Sequence, residues 1–343
     1  MLISSILQNL NMAPIIHLLP SPRWLDYELL DSGNGLKLER FGPYTFARPE
    51  VQAIWTRGLP AQKWTEADAV FIPSGEESGG HWSSRKKVAE KWEMSYDLSP
   101  RPARLKGEAG ACLRFTAMTT PGRHLGVFPE CAAHWDWIVE KIVNRRDRGE
   151  ESKETSADLS SQKESSLPAV NILNLFGYTG LATLAAAAAG AKVTHVDASK
   201  KSVMWARENA ALSGLAEKPI RWIVDDALKF VERESRRGVK YDGILLDPPK
   251  FGRGPKGEVW EMYKSLPELL SACRAVLSDR PLFVVLTAYA VKLPAIHAHA
   301  ALEEMMKGFG GEVECGELVT LEKSAGRMLS QAVYARWATD QHR

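Results

Sequence analysis

Residues 246–251, read L-D-P-P-K-F, combine a carboxylate, two prolines, a lysine and an aromatic ring within six positions. Consecutive prolines are costly inside a sheet because each lacks a backbone donor, so they stiffen the chain and leave carbonyls available. We predict a rigid loop whose carboxylate and first proline carbonyl receive an N–H donor from a substrate. The alternative is a turn that simply ends a strand. The predicted catalytic residues are Asp247, Pro248, Pro249, Lys250 and Phe251.

Residues 171–180, read N-I-L-N-L-F-G-Y-T-G, predict a buried strand that runs into a glycine-containing turn. Glycine lets the backbone approach a ligand closely at the carboxyl end of a strand, where open α/β sheets bind their ligands. The three-glycine pattern of dinucleotide sites is absent, which disfavours NAD and FAD. A tight turn without a ligand is the alternative. The predicted binding residues here are Asn174, Phe176, Gly177, Tyr178, Thr179 and Gly180.

Acidic residues end the next two predicted strands. Asp197, followed by Ala198, could accept hydrogen bonds from both hydroxyls of a ribose. Asp226 could accept one from an adenine amino group, and the N–H of Ala227 could reach a ring nitrogen. The alternative is that these carboxylates, and Asp225 beside them, cap the helices that follow. His195 lies inside its strand and is interpreted as a core residue.

Short apolar runs alternate with helical patterns over residues 168–336, which predicts a parallel sheet covered by helices. Two extended runs at 312–321 and 329–337 predict an antiparallel hairpin at the sheet edge. The remaining predicted strands span 170–175, 192–196, 220–224, 241–246 and 282–286, and predicted helices include 181–189 and 200–213.

The 343 residues are enough for two domains. Residues 20–118 are rich in tryptophan and in glycine and proline breaks, which predicts a small β-rich domain. Residues 119–343 would form the second domain, with a disordered insertion at 144–166 because that tract is almost free of apolar residues. Residues 1–19 are expected to be a disordered leader that is too often interrupted by polar residues to span a membrane.

Charge and cysteine content narrow the function classes. A net charge of +2 gives little support to a large nucleic-acid footprint, although a local basic patch is compatible with it. The four cysteines form no C-x-x-C pair, so we predict no metal site and buried thiols in a reducing compartment.

At the motifs above, the sequence resembles the class I S-adenosylmethionine-dependent methyltransferases, in the branch related to ribosomal RNA large-subunit methyltransferases. That branch carries N-x-F-x-Y-T-G, a second-strand acid, D-D-A and D-P-P-x-F in this order. Residues 124–130 resemble its G-x-F-x-D-Q-R segment, which closes over the cofactor, although Cys131 replaces the glutamine.

The resemblance implies an α/β fold with a Rossmann-like seven-stranded sheet, a reversed last strand, and S-adenosylmethionine as cofactor. Residues 174–180 would line the methionine side, Asp197 would hold the ribose, and Asp226 with Ala227 the adenine. Residues 247–251 would face the methyl group and the acceptor.

The acceptor is expected to be a nitrogen of an RNA base. Related enzymes that methylate cytosine C5 use a cysteine after the fifth strand or beside the double proline, and neither position has one here. A methyltransferase acting on a small molecule or protein, or a non-catalytic scaffold, is the alternative. A cytoplasmic protein is expected, with a mitochondrial one as the alternative. Basic residues that could position phosphates are Lys250, Arg253, Lys256, Arg85, Lys86 and Lys87.

Overall fold

The structure is a computed structural model. It describes residues 13–21, 24–74, 79–98, 112–154, 169–289 and 293–339, with the backbone alone for 146–154. The strands are β1 (Ile16–Pro20), β2 (Tyr27–Gly33), β3 (Leu36–Phe41), β4 (Tyr44–Pro49), β5 (Ala69–Pro73), β6 (Gly80–Ser84), β7 (Trp92–Asp97), β8 (Cys112–Ala117), β9 (Asn171–Leu175), β10 (Lys192–Asp197), β11 (Ile220–Val224), β12 (Gly243–Leu246), β13 (Phe251–Arg253), β14 (Val259–Glu261), β15 (Phe283–Ala288), β16 (Glu312–Leu321) and β17 (Met328–Ala338). The helices are α1 (Ala61–Thr65), α2 (Ala132–Glu154), α3 (Leu181–Ala188), α4 (Lys200–Leu212), α5 (Ala227–Arg236), α6 (Met262–Ala275) and α7 (Ala295–Met306), with a 3-10 turn at Pro129–Cys131.

The large sheet has eight strands in the order β1-β16-β17-β15-β12-β9-β10-β11. Strands β15, β12, β9, β10 and β11 are mutually parallel, and β17 runs antiparallel to both of its neighbours. The predicted α/β sheet and its reversed last strand are therefore confirmed. The chain leaves β9 towards β10 on one side and returns to β12 on the other, so β9 is where the strand order reverses. Such a reversal opens a crevice at the carboxyl ends of the strands.

Two details of the predicted sheet are wrong. The terminal hairpin does not lie at the edge, because β17 returns into the gap between β15 and β16. The sheet also has an eighth strand, because β1 pairs in parallel with β16. The predicted leader at 1–19 is therefore wrong for residues 16–19, where Leu19 packs against the main core. The leader's residues 1–12 lie outside the described part of the chain.

The N-terminal region is β-rich, as predicted. Strands β2 to β6 form one five-stranded sheet, and β7 pairs with β8. Its buried aromatic rings, among them Phe46 and Phe115, belong to the same hydrophobic core as Leu184 of helix α3. The region also holds the chain just before α2, because the indole of Trp82 donates to the Thr120 carbonyl at 2.9 Å. The predicted domain boundary at residue 118 stays a prediction.

The predicted disordered insertion at 144–166 is wrong for residues 144–154, which continue helix α2. The tract lacks apolar residues for a core, but its Arg and Glu residues have good helix propensity, and propagating a helix that is already nucleated is easy. The first turns of α2 provide that nucleus, since Trp135, Ile138 and Ile142 are buried. Residues 155–166 lie outside the described part. Among the described helices, none is long and apolar enough to cross a membrane.

Candidate active site

A cavity opens at the carboxyl ends of β9, β12 and β15, where the reversed strand order leaves a crevice. The empty space in and in front of this cavity, with the open solvent at its mouth included, is about 600 Å³. Helix α2 and the turn after β9 form its other walls. Its lining residues are Val127, Phe128, Cys131, His134, Trp135, Ile138, Asn174, Phe176, Gly177, Tyr178, Thr179, Leu181, Ala182, Leu245, Leu246, Asp247, Val285 and Thr287.

The turn after β9 has an unusual backbone. Phe176 and Tyr178 adopt left-handed φ values of 58° and 47°, a conformation that non-glycine residues rarely adopt and that clusters at functional sites. Gly177 between them is required for space, because a Cβ there would lie 2.4 Å from the His195 ring. His195 is fully buried, as predicted for a core residue, and its imidazole contacts the Thr183 hydroxyl at 3.0 Å.

Polar contacts fix this turn to its neighbours. The Thr179 hydroxyl donates to the Gly126 carbonyl at 2.7 Å, and the Asn209 amide of α4 donates to the Thr179 carbonyl at 3.0 Å. Gly126 belongs to the segment 124–130, which contributes Val127 and Phe128 to the cavity lining. The ring of Phe128 in that segment lies 5.9 Å from Tyr178, between ring centroids. The segment and the turn therefore form one wall of the cavity.

The acidic residues predicted for a nucleoside lie beside the cavity rather than in its lining. Asp197 accepts hydrogen bonds from the backbone N–H of Tyr178 at 2.9 Å and of Ser199 at 2.8 Å. Burial raises its pKa. Asp226 caps α5 by accepting from the N–H of Lys229 at 3.0 Å, the alternative considered for it from the sequence. Asp225 forms an ion pair with Arg233 of the same helix.

Asp247 lines the cavity directly after β12. Burial, and then the negative charge of Glu130, raise the pKa of its carboxyl to about 8. Glu130 is itself buried, and burial raises its pKa as well. Carboxyls desolvated in this way cluster at functional sites. Asp247 can therefore hold or release a proton near neutral pH, unlike an exposed carboxylate.

The loop 247–250 is held by the short hairpin of β13 and β14. The indole of Trp260 donates to the Pro249 carbonyl at 2.6 Å, and the N–H of Met262 donates to the Lys250 carbonyl at 3.0 Å. Trp260 is buried and its ring contacts Phe176, with centroids 5.0 Å apart. It therefore connects the proline loop to the turn after β9. The sequence gives no sign of this role, because Trp260 resembles any other core tryptophan.

The predicted residues after the two prolines lie outside the cavity lining. Phe251 is 56% exposed, with the ammonium group of Lys250 5.4 Å from its ring centroid. Arg253 and Lys256 on the same hairpin are exposed. In the N-terminal region, Arg85 donates to the Thr65 carbonyl and Lys86 pairs with Asp68. Two of the three basic residues predicted there thus already have partners within that region.

Cys131 and His134 are among the cavity residues that were not predicted as site residues. The Cys131 thiol contacts the Tyr289 hydroxyl at 2.8 Å, and burial with the neighbouring Asp247 raises its pKa well above the ordinary value. His134 lines the cavity from α2. The only sequence signal for His134 is spacing, since His134 and Ile138 lie four residues apart on one face of α2.

The chain is similar over nearly its whole length to a solved structure, the S-adenosylmethionine-dependent methyltransferase from Agrobacterium tumefaciens. The two sequences are 42% identical, the match covers 95% of this chain and 94% of that chain, and the TM-score is 0.79. The chain belongs to the S-adenosylmethionine-dependent methyltransferases. S-adenosylmethionine is accordingly its cofactor.

Other similarities cover less of the chain or are more distant. Residues 146–269 match a family described as conserved hypothetical protein 95. The ribosomal RNA large subunit methyltransferase K/L of Shewanella frigidimarina is 39% identical over 110 residues, which is 32% of this chain and 15% of that protein. The chain thus matches only a small part of this curated relative. A protein from Streptococcus mutans assigned as a methyltransferase shares the fold at 13% identity, with a TM-score of 0.62 over 98% of this chain and 78% of that one.

The cavity of this methyltransferase fits the charges of S-adenosylmethionine. The cofactor carries two positive groups, the sulfonium and the α-ammonium, and one negative group, the α-carboxylate. No lysine or arginine side chain belongs to the described cavity lining, so a cationic ligand beside Asp247 would favour the charged form of its carboxyl. The two ring nitrogens of His134 are buried and have no hydrogen-bond partner among the described residues.

Proposed function

We propose that this methyltransferase methylates a nitrogen atom of an RNA base. The observation that carries the proposal is the placement of the loop 247–251. Its buried carboxyl faces the cofactor cavity, and its aromatic Phe251 is exposed on a hairpin that also presents Arg253 and Lys256. To bind an RNA base, a protein needs an apolar surface for the ring and a hydrogen-bond acceptor for its N–H groups. To bind the RNA phosphates, it needs basic side chains.

The residues that we assign to the cofactor lie at or just after the carboxyl ends of β9, β10 and β11. Residues 174–180 would hold the methionine part, because most of them line the cavity. Asp197, with Ala198, would hold the ribose, since the turn after β9 brings the Tyr178 N–H onto its carboxylate. Asp226 and Ala227 at the start of α5 would contact the adenine.

S-adenosylmethionine, when bound, supplies a methyl group on a good leaving group, so the protein has mainly to align the acceptor and exclude water. A bound sulfonium would favour the charged form of the Asp247 carboxyl, which, with the Pro248 carbonyl, would then accept hydrogen bonds from an acceptor N–H and orient its lone pair. Trp260 already occupies the Pro249 carbonyl, so it fixes the loop in one conformation. Such alignment can contribute about 7–11 kcal/mol to lowering a barrier in well-oriented systems.

A covalent route through cysteine is disfavoured. Cys131 is the one cysteine in the described cavity lining, and its raised pKa keeps it as a thiol rather than the reactive thiolate. Its contact with Tyr289 also occupies its polar atom. A nitrogen acceptor requires no such nucleophile.

The preference for RNA over a protein or small molecule rests on the exposed hairpin and on the curated relatives, which act on ribosomal RNA. A ribosomal particle, or RNA taken from it, is therefore the proposed partner. We also propose a cytoplasmic location, since this partner is found there and none of the four cysteines, all within the described residues, forms a disulfide.

Tritium transfer from labelled S-adenosylmethionine tests the proposal. The acceptors would be large-subunit RNA, intact large subunits and RNA-free ribosomal protein, all from cells that lack this protein. We expect labelled RNA, with Arg253→Ala/Lys256→Ala raising the RNA concentration needed and reducing the slope of log affinity against log salt by about 0.7 per lost phosphate contact.

The matched control is Lys192→Ala/Lys240→Ala, which removes two exposed lysines next to the amino ends of β10 and β12, at the opposite edge of the sheet. This variant should behave as the parent protein. Label found in protein alone, or equal effects of the two double variants, would contradict an RNA substrate bound at the hairpin.

A further inference from the structure

The segment 124–130 of the cavity wall contains no strand and no α-helix. It follows β8 and leads through the 3-10 turn into α2. Outside regular secondary structure, backbone carbonyls find their partners in side chains of other elements, and these contacts determine the path of the chain. In the middle of the segment, the Gly126 carbonyl accepts from Thr179, and Phe128 packs against Tyr178. The place of Phe128 in the cavity lining therefore depends on how the whole segment is held.

The N-terminal region is hydrogen-bonded to the chain at both ends of this segment. At the far end, the Pro129 carbonyl accepts from the Ser21 hydroxyl at 2.9 Å and from the Trp24 indole at 3.2 Å. Directly before the near end, the Arg123 carbonyl accepts from the Arg48 guanidinium of β4 at 3.1 Å. The two ends of the segment are thus fixed to the N-terminal region, while its middle is fixed to the turn after β9.

Arg48 is oriented by a buried ion pair. Its guanidinium donates to both carboxylate oxygens of Glu39 on β3, one of them at 2.9 Å, and the two residues are 7% and 1% exposed. Burial alone would raise the pKa of Glu39, but Arg48 and Lys37 lower it to about 2, so the pair stays charged. Such a pair adds little net stability compared with apolar side chains of similar volume. Its contribution is orientation, because the rigid guanidinium fork on Glu39 directs a further N–H group to the Arg123 carbonyl.

We propose that Arg48 is a positioning residue for cofactor binding. Through the Arg123 carbonyl it holds the segment 124–130 in the conformation in which Val127 and Phe128 line the cavity. The N-terminal region, which supplies none of the residues in the described lining, thereby contributes to the affinity for S-adenosylmethionine. The inference rests on the proposed placement of the cofactor in this cavity and is independent of the acceptor.

Calorimetry with S-adenosylmethionine on the full chain and on two variants tests the proposal. Arg48→Lys keeps a positive charge beside Glu39 but lacks the planar fork. Arg48→Met/Glu39→Gln removes both charges together, so it buries no unpaired charge and still provides an answer if the lysine variant does not fold. Both variants should bind S-adenosylmethionine about 3- to 10-fold more weakly than the wild type, which is the affinity equivalent of one net hydrogen bond.

Trp64→Phe is the matched control. It removes a buried indole donor to Asp31 at 2.9 Å, so it also destabilises the N-terminal region. Asp31 bonds in turn to Ser324, in the turn between β16 and β17, and this contact does not involve the segment 124–130. The control should therefore keep the cofactor affinity of the wild type. An equal loss of affinity in Trp64→Phe, or unchanged affinity in the Arg48 variants, would overturn the role of Arg48.

Hydrogen–deuterium exchange locates the effect and separates the role of Arg48 from the placement of the cofactor. Without cofactor, the amides of residues 124–128 should exchange faster in the Arg48 variants than in the wild type and in Trp64→Phe. Saturating S-adenosylmethionine should slow their exchange in the wild type. Exchange that does not respond to the bound cofactor would place it outside this cavity and overturn the inference together with that placement. Slowed exchange in the wild type, with no difference between the wild type and the Arg48 variants, would overturn the role of Arg48 alone.

Discussion

Replacing Asp247 by asparagine should stabilise the cofactor-free protein increasingly as the pH rises. In the folded protein the pKa of this carboxyl is raised from 3.8 to about 8, mainly by burial. Between these two values the folded state keeps a proton that the unfolded state has released. The stability that this group contributes is therefore complete below about pH 4, declines as the pH rises and levels off above about pH 8.

The magnitude follows from the two pKa values. One pKa unit corresponds to about 1.4 kcal/mol of unfolding free energy. A carboxyl that titrates near pH 8 in the folded protein therefore lowers the unfolding free energy by up to about 4 kcal/mol between pH 5 and pH 8. Asp247 borders an open cavity, and water there screens part of its charge, so we expect about 2–4 kcal/mol. An asparagine side chain does not titrate, so it adds no pH dependence to the unfolding free energy.

The assay is urea unfolding of the wild type and Asp247→Asn at pH 5, 6, 7 and 8. All other titrating groups are shared, so the difference between the two curves isolates Asp247. Asp279→Asn is the matched control, because that carboxylate is exposed to solvent and its curve should parallel the wild type. If the Asp247→Asn and wild-type curves also run parallel, the Asp247 carboxyl is not desolvated and its raised pKa is refuted.

Three further changes test separate parts of the site. Asp197→Ala should weaken S-adenosylmethionine binding by about 1.5–3 kcal/mol in calorimetry, the scale of a hydrogen bond to a charged group, and unchanged affinity would refute the ribose assignment. Trp260→Phe, which keeps the ring but loses the donor to Pro249, should lower kcat about 10- to 100-fold with cofactor affinity within about two-fold, and an unchanged kcat would exclude a positioning role. Gly177→Ala should lower the unfolding free energy by about 1–3 kcal/mol through its clash with His195, and the double variant with His195→Ala should lose less than the sum of the single changes.

The parts of the fold that could be predicted are those where neighbouring residues determine the structure. An apolar run followed closely by two prolines predicts a strand that ends just before Asp247, as β12 does. Likewise, the glycine turn after β9 follows from residues 171–180 alone. The helix extension at 144–154 was missed because a polar composition shows only that a segment cannot form a hydrophobic core. It does not exclude a helical backbone.

Features that depend on distant contacts could not be predicted. Strand β1 exists because Ile16 lies opposite Cys315, a residue about 300 positions away. Likewise, His134 follows a helical pattern that is typical of a core residue. Only the folded chain shows that it borders the same cavity as Asp247.

The most direct test of the central claim is mass spectrometry of ribosomal RNA nucleosides from cells with and without this protein. Cells that lack it would be complemented with the wild-type chain or with Asp247→Ala. We predict that one nitrogen-methylated nucleoside disappears without the protein, returns with the wild type and stays absent with Asp247→Ala. An unchanged set of methylated nucleosides, or the loss of a cytosine methylated at C5, would contradict the proposed nitrogen methylation of RNA.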